Sequence, residues 1–227
     1  PSIVEGKGHV QKKIALTFDD GPHPIYTEKV LDMLDSYGVK GTFFVTGKNV
    51  LEYPQVAKEI VNRGHEIENH SFSHPVFSLL DTEAQISEIK SPSEAIKVVT
   101  GIEPRFFRTP FSNSSEIDTD KSIVYLEYLA NLGLSASEYD IDSKDWVLDS
   151  PEETYKKVVD DIENSEGEYS QILFHDSSVR IENTLETLPE VIEYLQNKEI
   201  SIVRVDELVD STPFQTYPST TTLAYRA

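Results

Sequence analysis

Two histidines in one short segment of this sequence could bind a metal together. His70 and His74 stand four residues apart in HSFSH. This spacing places both imidazoles on one face of a helical turn, where they can bind the same ion. A hydrolytic site also needs a third protein ligand and an open position for water, and the carboxylate of Asp20 is the obvious candidate. The sequence therefore predicts a divalent metal bound by Asp20, His70 and His74.

Two adjacent carboxylates follow an apolar run near the N-terminus. Asp19 and Asp20 come directly after IALTF and directly before a Gly-Pro dipeptide. Taken alone, such a pair is more often a simple turn than a functional site. The alternative is that the pair lies at the catalytic end of a strand, where Asp20 supplies the third metal ligand.

Three further charged or titratable residues lie at or near the ends of predicted strands. His175, in QILFHD, could donate or accept a proton near neutral pH. Arg108, in RFFRTPF, and Asp145, in DSKDW, could orient a base and an acid. Taken singly, the histidine is as often structural as catalytic, and each charge is more often part of a surface ion pair. The remaining histidines have no partner at a useful spacing and are interpreted as structural or solvated: His9, His23 and His65.

Short runs rich in β-branched and aromatic residues alternate with longer stretches of helical period. This alternation is typical of parallel strands joined by crossover helices, and it predicts an α/β fold. About seven strands are predicted, one short of a closed eight-stranded barrel: Lys13 to Phe18, Gly41 to Thr46, Glu66 to His70, Pro104 to Arg108, Leu134 to Ile141, Gln171 to His175 and Ser201 to Val205. The predicted helices between them are Ile25 to Tyr37, Pro54 to Arg63, Thr82 to Thr100, Ser122 to Leu132, Pro151 to Asn164 and Asn183 to Gln196. Because the carboxyl ends of parallel barrel strands form one face, we expect the candidate residues to lie together there.

The composition excludes several classes of site and partner. The chain has 20 basic and 40 acidic residues, a formal net charge of −20, so nucleic acid is not an expected partner. Without cysteine, any metal must be bound by histidine and carboxylate. No apolar run approaches the roughly 18 residues that a membrane span requires.

The length of 227 residues fits one domain with a single core. From Ser211 onward the composition changes to serine, threonine and proline, in STPFQTYPSTTT, without an apolar period to bury. We therefore expect a folded domain over residues 1–210 and a tail over residues 211–227.

In combination, five segments carry a specific resemblance. TFDDGP, HSFSH, RTPF, DSKDW and ILFHD, in this order and at these intervals, resemble the five motifs of the NodB-type polysaccharide deacetylases, carbohydrate esterase family 4. The similarity covers about Lys13 to Leu208. It implies a distorted (β/α) barrel, in agreement with the predicted strands, and an enzyme that removes acetyl groups from chitin, chitooligosaccharides or related N-acetylglucosamine polymers.

The resemblance also implies a role for each residue of the predicted site. Asp19 becomes the catalytic base, and Arg108 tethers it. Asp20, His70 and His74 become the ligands of one divalent metal ion, usually zinc or cobalt.

The remaining implied roles concern the acid and the substrate. His175 becomes the general acid, and Asp145 orients it. Trp146 and Leu173 line the pocket for the acetyl methyl group. The backbone N–H of Phe111 stabilises the oxyanion together with the metal.

The third motif departs from the family pattern, which usually has Tyr followed by Gly where this chain has Phe111 followed by Ser112. One alternative is therefore a family member with weak or lost activity that serves as a cell-surface glycan-binding or structural protein. Another is a metal-dependent amidohydrolase of a small nitrogenous molecule. We expect a secreted or surface-displayed protein, because the implied substrate is a wall polymer and the tail is rich in serine and threonine.

Overall fold

The computed structural model describes residues 12–111, 127–165 and 169–210. Its strands are β1 (Lys13–Asp19), β2 (Thr42–Val45), β3 (Glu66–Asn69), β4 (Phe106–Phe107), β5 (Ser135–Ala136), β6 (Ile141–Asp142), β7 (Tyr169–His175) and β8 (Ser201–Val203). Its helices are α1 (Tyr26–Ser36), α2 (Gly47–Glu52), α3 (Pro54–Asn62), α4 (Thr82–Thr100), α5 (described over 127–131), α6 (Pro151–Asn164), α7 (Ile181–Asn197) and α8 (Val205–Asp210), with a 3₁₀ turn at Phe77–Leu79.

The described strands form one parallel sheet in the order β5-β4-β3-β2-β1-β7-β6. β1 is the central strand, and it pairs with β7 along its whole length. On its other edge, β2 pairs with the second half of β1 and the short β8 pairs with the first half. The sheet curls into the distorted (β/α) barrel that the sequence predicts, which confirms the predicted fold class.

The core lies between the sheet and the helices that cover it. The side chains of residues 14–19 on β1 are all buried, as expected for a central parallel strand covered on both faces. Phe18 stacks between Phe43 of β2 and Phe174 of β7, with ring centroids 4.9 and 6.1 Å apart. This packing aligns the carboxyl ends of the three strands, where the candidate residues follow.

Two predicted helices agree with the observed bounds, and the capping residues at their ends explain the agreement. α4 begins after Asp81, whose side chain accepts a hydrogen bond from the N–H of Ala84 at 2.8 Å. It ends at Gly101, which has a φ of 80°, a left-handed conformation that glycine adopts without strain. α6 begins after Ser150, which caps the helix in the same way. The predicted helix over Ser122 to Leu132 is described only from residue 127.

The single strand predicted over Leu134 to Ile141 is wrong. The N–H of Ser137 still bonds to the carbonyl of Phe107 in β4, whereas the N–H of Asp140 bonds to the carbonyl of Gln171 in β7. The chain therefore crosses between the two open edges of the sheet within these residues, and it forms β5 on one edge and β6 on the other. The short helices α2 and α8 were not predicted because six residues are too few to show an apolar period.

β3 places two glutamates on the same face of the strand, inside the fold. Glu66 is 9% exposed and accepts a hydrogen bond from the hydroxyl of Thr42 at 2.6 Å. Glu68 is 2% exposed and accepts hydrogen bonds from the N–H groups of Arg105 and Phe106 at 2.8 and 2.7 Å. Burial, together with the charge of the neighbouring Glu66, raises the pKa of Glu68 to about 9. Glu68 therefore keeps its proton in the folded protein at neutral pH.

Replacing Glu68 with glutamine should make the protein more resistant to alkaline pH. The folded-state pKa lies above the ordinary value of 4.5, so the stability that Glu68 contributes is present below pH 4.5 and is lost as pH rises toward 9. Glutamine cannot ionise, so Glu68→Gln should gain about 4 kcal/mol relative to wild type between pH 5 and pH 8, or about 8–16 °C in Tm. Thermal melts of wild type and Glu68→Gln at pH 5 and at pH 8 measure this gain in stability. The exposed Glu186→Gln on α7 is the control, and an equal gain in both variants would contradict the prediction.

Candidate active site

The three predicted metal ligands converge at the carboxyl ends of β1 and β3. Asp20 directly follows β1 and has a φ of 78°, and His70 directly follows β3. Oδ1 of Asp20 lies 3.4 Å from Nε2 of His70 and 3.1 Å from Nε2 of His74. One ligand atom from each residue lies within 4.8 Å of the others. The geometry therefore offers two imidazoles and one carboxylate to a single ion.

The chemistry of these donors fits a divalent cation. Oδ1 of Asp20 is buried and accepts no hydrogen bond within the described residues, although two imidazole nitrogens point towards it. Burial raises the pKa of Asp20, but His70, His74 and His175 outweigh burial and hold this pKa well below its usual range. Nδ1 of His70 lies 2.9 Å from the carbonyl oxygen of Arg108, so it donates to that oxygen and leaves Nε2 free to bind a metal. Two imidazoles and one carboxylate are ligands that suit a divalent transition metal.

The segment with the two histidines is not the helical turn that the spacing predicts. Residues 70–76 form an irregular loop, in which Ser71 and His74 have φ values of 68° and 59°. Glu88 of α4 accepts hydrogen bonds from two backbone N–H groups of this loop, at 2.9 and 2.8 Å. The hydroxyl of Ser71 accepts a third, from the N–H of His74 at 3.0 Å. These bonds, and not a helix, hold the imidazole rings of His70 and His74 5.0 Å apart.

Arg108 lies inside the barrel and holds Asp19 in place. Its side chain is fully buried, and Nη1 donates to Oδ1 of Asp19 and to the hydroxyl of Thr17, both at 2.8 Å. Nη2 donates to the side-chain oxygen of Gln171 at 2.9 Å, and Nε donates to a backbone carbonyl at 3.1 Å. The other carboxylate oxygen of Asp19, Oδ2, lies 3.7 Å from Nε2 of His70. Asp19 thus presents one fixed and one available oxygen beside the predicted metal ligands.

His175 and Asp145 form the second charged pair of the site. Nδ1 of His175 donates to Oδ1 of the fully buried Asp145 at 2.8 Å. Oδ2 of Asp145 accepts hydrogen bonds from the N–H of His175 and the hydroxyl of Thr184, both at 2.7 Å. Burial lowers the pKa of His175, but the charge and hydrogen bond of Asp145, with Asp20 and Asp19, outweigh burial and raise the pKa to about 10. His175 is therefore protonated at neutral pH and can act as an acid.

Replacing Asp145 with asparagine should move the alkaline limit of activity to lower pH. Without the carboxylate, the pKa of His175 falls from about 10 towards its ordinary value of 6.5, so the acid loses its proton earlier as pH rises. At pH 8 we expect a loss of about 10- to 100-fold in kcat. A pH profile of acetate release measures the shift. Asp149→Asn, an exposed aspartate paired with Arg180, is the control. An unchanged alkaline limb in Asp145→Asn would show that Asp145 does not set the pKa.

The predicted substrate residues lie around these groups. The ring of Phe111 is 63% exposed and packs edge-on against His74, with centroids 4.5 Å apart. Trp146 follows Asp145 and is 47% exposed, whereas Leu173, on β7, is buried. A cleft of about 270 Å³ opens beside Asp20 and His74, two of the predicted metal ligands, but none of these three residues lines it. The polar stretch after Phe111 lies outside the described residues.

Some residues that support the site were not found from the sequence. Asp176 is fully buried, and its Oδ2 accepts a hydrogen bond from the hydroxyl of Thr27 at 2.6 Å. Its carboxylate packs so closely on Gly21 that a Cβ there would lie 2.4 Å from Oδ2, which requires glycine after the aspartate pair. Burial raises the pKa of Asp176 to about 7. Its position beside His175 was an available signal, but no local pattern pointed to Thr184, which is remote along the chain.

The structure is an α/β barrel that carries two histidines, a carboxylate and an acid–base pair at the carboxyl ends of its strands. This arrangement is typical of the class of metal-dependent hydrolases. Residues 6–136 match the family described as Polysaccharide deacetylase, and the chain belongs to this family. The match confirms the resemblance that the five motifs indicate. The matched range contains Asp20, His70 and His74 but ends before Asp145 and His175.

Two curated relatives indicate the range of the family. The chain is 30% identical over 198 residues to the peptidoglycan-N-acetylmuramic acid deacetylase PdaC of Bacillus subtilis, covering 87% of this chain and 39% of that protein. It is 35% identical over 147 residues to a chitooligosaccharide deacetylase of Sinorhizobium fredii, covering 63% of this chain and 64% of that protein. The chain thus spans about two fifths of PdaC.

Solved structures share the fold over most of this chain. The T48 deacetylase, solved with substrate, is 32% identical, with a TM-score of 0.76 over 90% of this chain and 94% of that one. A mutant of BA3943, a CE4 family pseudoenzyme with restored enzymatic activity, is 26% identical, with a TM-score of 0.76 over 88% of this chain and 68% of that one.

In the part of the chain that the structure describes, no helix is both long and apolar enough to cross a membrane.

Proposed function

We propose that this protein is a metal-dependent hydrolase that removes N-acetyl groups from polymers of N-acetylated amino sugars. The observation that carries the proposal is the convergence of Asp20, His70 and His74 beside two separate acid–base groups, Asp19 and His175. The family and the names of its relatives support the same reaction. These three ligands would hold a divalent cation, which when bound would polarise the acetyl carbonyl and lower the pKa of water.

Asp19 is the proposed general base. Its Oδ1 is engaged by Arg108, so Oδ2 is the oxygen that accepts a proton from the attacking water. The hydrogen bonds that Arg108 forms with Thr17 and Gln171 prevent the guanidinium from moving with the carboxylate. Asp19 and Asp20 are adjacent in sequence but have separate tasks, since one binds Arg108 and the other faces the imidazoles.

His175 is the proposed general acid, because its raised pKa keeps Nε2 protonated while Asp145 holds Nδ1. Nε2 donates its proton to the amine nitrogen as the C–N bond breaks. The amine that leaves then takes a proton from the protein and not from bulk water.

The substrate-binding roles remain proposals that the resemblance suggests. The backbone N–H of Phe111 is the proposed donor to the oxyanion, and its contact with His74 supports a location beside the metal ligands. Trp146 and Leu173 are the proposed walls for the acetyl methyl group.

Chitin and chitooligosaccharides are one proposed substrate, and peptidoglycan is the other. Both classes occur in the names of relatives. We also propose that the protein acts outside the cell or at its surface, since both substrates are polymers of cell walls or derive from them. Detection of the full-length protein in the cytosol of its native cell would contradict this location.

Acetate release tests the proposed function. The protein is stripped of metal with a chelator, reloaded with zinc or cobalt, and incubated with chitooligosaccharides, peptidoglycan glycan strands and small N-acetylated amides. We expect acetate from a glycan only after reloading. A similarity to a pseudoenzyme and the altered third motif favour one second candidate, a glycan-binding protein without activity. Metal binding and glycan binding without acetate release would establish that candidate instead.

A further inference from the structure

The cleft beside the metal ligands contains one lysine. Asp20 and His74 line this cleft, of about 270 Å³, and the rest of its lining is polar apart from Phe72. The other lining residues are Thr46, Lys48, Asn49, Ser73 and Ser177. Lys48 is the only lysine or arginine among them. A group on the substrate next to the hydrolysed acetamide would therefore meet a single permanent positive charge in this cleft.

The backbone around Lys48 is tied to both loops that carry the metal ligands. The N–H of Thr46 bonds to the carbonyl of Gly21 at 2.9 Å, and the N–H of Lys48 bonds to the carbonyl of Phe72 at 3.0 Å. The side-chain amide of Asn49 donates to the carbonyl of Asp20 at 2.8 Å. The backbone of Lys48 thus has a set position relative to the metal ligands. Only its flexible side chain adapts to a ligand.

Lys48 forms no ion pair within the described residues, although acidic residues outnumber basic ones two to one. Lys40, Lys144 and Lys157, for example, each bond to an aspartate. The nearby carboxylate of Glu88 is occupied by two backbone N–H groups and the hydroxyl of Ser73. The ammonium of Lys48 is therefore available to an anion from outside the chain.

We propose that Lys48 determines specificity by binding a carboxylate that the glycan carries close to the hydrolysed acetamide. This inference rests on the proposed function and narrows its substrate to acidic amino-sugar polymers, such as those containing N-acetylmuramic acid, over neutral chitooligosaccharides. The net charge of −20 repels an anionic polymer at long range, so recognition depends on this local cation. An ammonium–carboxylate hydrogen bond at the cleft is short-ranged enough to act despite that field.

The test compares two polymers that differ only in charge. The first is peptidoglycan glycan strands freed of their stem peptides, in which each lactyl group ends in a carboxylate. The second is the same strands with those carboxylates reduced to alcohols. Binding is measured by calorimetry and turnover by acetate release, for the metal-loaded wild type, Lys48→Met, Lys48→Arg and Lys58→Met. Lys58 is the matched control, since it is also exposed and forms no ion pair with the residues that the structure describes, but it does not line the cleft.

Wild type should bind the carboxylated strands about tenfold more tightly than the reduced strands. Lys48→Met should lose this preference, with a raised KM for the carboxylated strands and little change in kcat. Lys48→Arg should keep the preference, and Lys58→Met should behave as wild type. The inference is overturned if Lys48→Met keeps the preference for the carboxylated strands, or if it loses binding to both polymers equally. If wild type releases no acetate from either polymer or from chitooligosaccharides, the proposed function fails, whereas the binding ratio still decides the role of Lys48.

Discussion

Asp19→Asn should reduce acetate release by about a thousandfold or more while the protein still binds its metal. Asparagine keeps the shape of aspartate, and its oxygen can still accept the hydrogen bond from Arg108. It cannot accept the proton of the attacking water, and a positioned general base contributes about 10²- to 10⁴-fold. Steady-state rates together with metal content measure both parts of the expectation.

Asp20→Asn is the matched comparison for this variant, because it changes the adjacent carboxylate in the same way. We expect Asp20→Asn to lose metal affinity, whereas Asp19→Asn should lose turnover at full metal occupancy. Asp19→Asn also leaves the buried charge of Arg108 without its anionic partner, which destabilises a protein by several kcal/mol. Thermal melts therefore accompany the rates. Near-normal turnover by folded Asp19→Asn would show that another group is the base.

His70→Ala and His74→Ala should each lower metal affinity by at least about a hundredfold. Each substitution removes one of the two imidazole ligands, and the remaining imidazole and Asp20 cannot complete a three-ligand site. Dialysis against a trace of zinc followed by metal analysis gives the occupancy without depending on activity. Acetate release should fall in parallel with occupancy.

His23→Ala is the control for the two ligand variants. Its Nδ1 accepts hydrogen bonds from the N–H groups of Ile25 and Tyr26, so this histidine serves the turn after Asp20 and is not a ligand. The control should keep its metal. Full occupancy in either His70→Ala or His74→Ala would refute the assigned ligand set.

The local sequence patterns were sufficient to predict most of the strands and helices. The strands before Asp20 and His175 contain contiguous apolar runs, and the caps at Asp81 and Ser150 are contiguous signals as well. The strand before His70, EIEN, is mostly polar and has no such run. The helical turn predicted for the histidine loop was wrong because spacing alone cannot distinguish a helix from a loop. That loop is held by Glu88, whose contribution depends on the packing of α4.

By itself, the sequence determined the alternation of strands and helices, the family, and the residue types of the candidate site. These properties depend on neighbouring residues and on the order of motifs. The tertiary structure decided which groups touch, because parallel strands bring together residues that are far apart in the chain. Arg108 reaches Asp19 across 89 positions, and Thr184 reaches Asp145 across 39. The place of Lys48 beside the metal ligands was likewise decided by the hydrogen bonds between three loops, which no local pattern encodes.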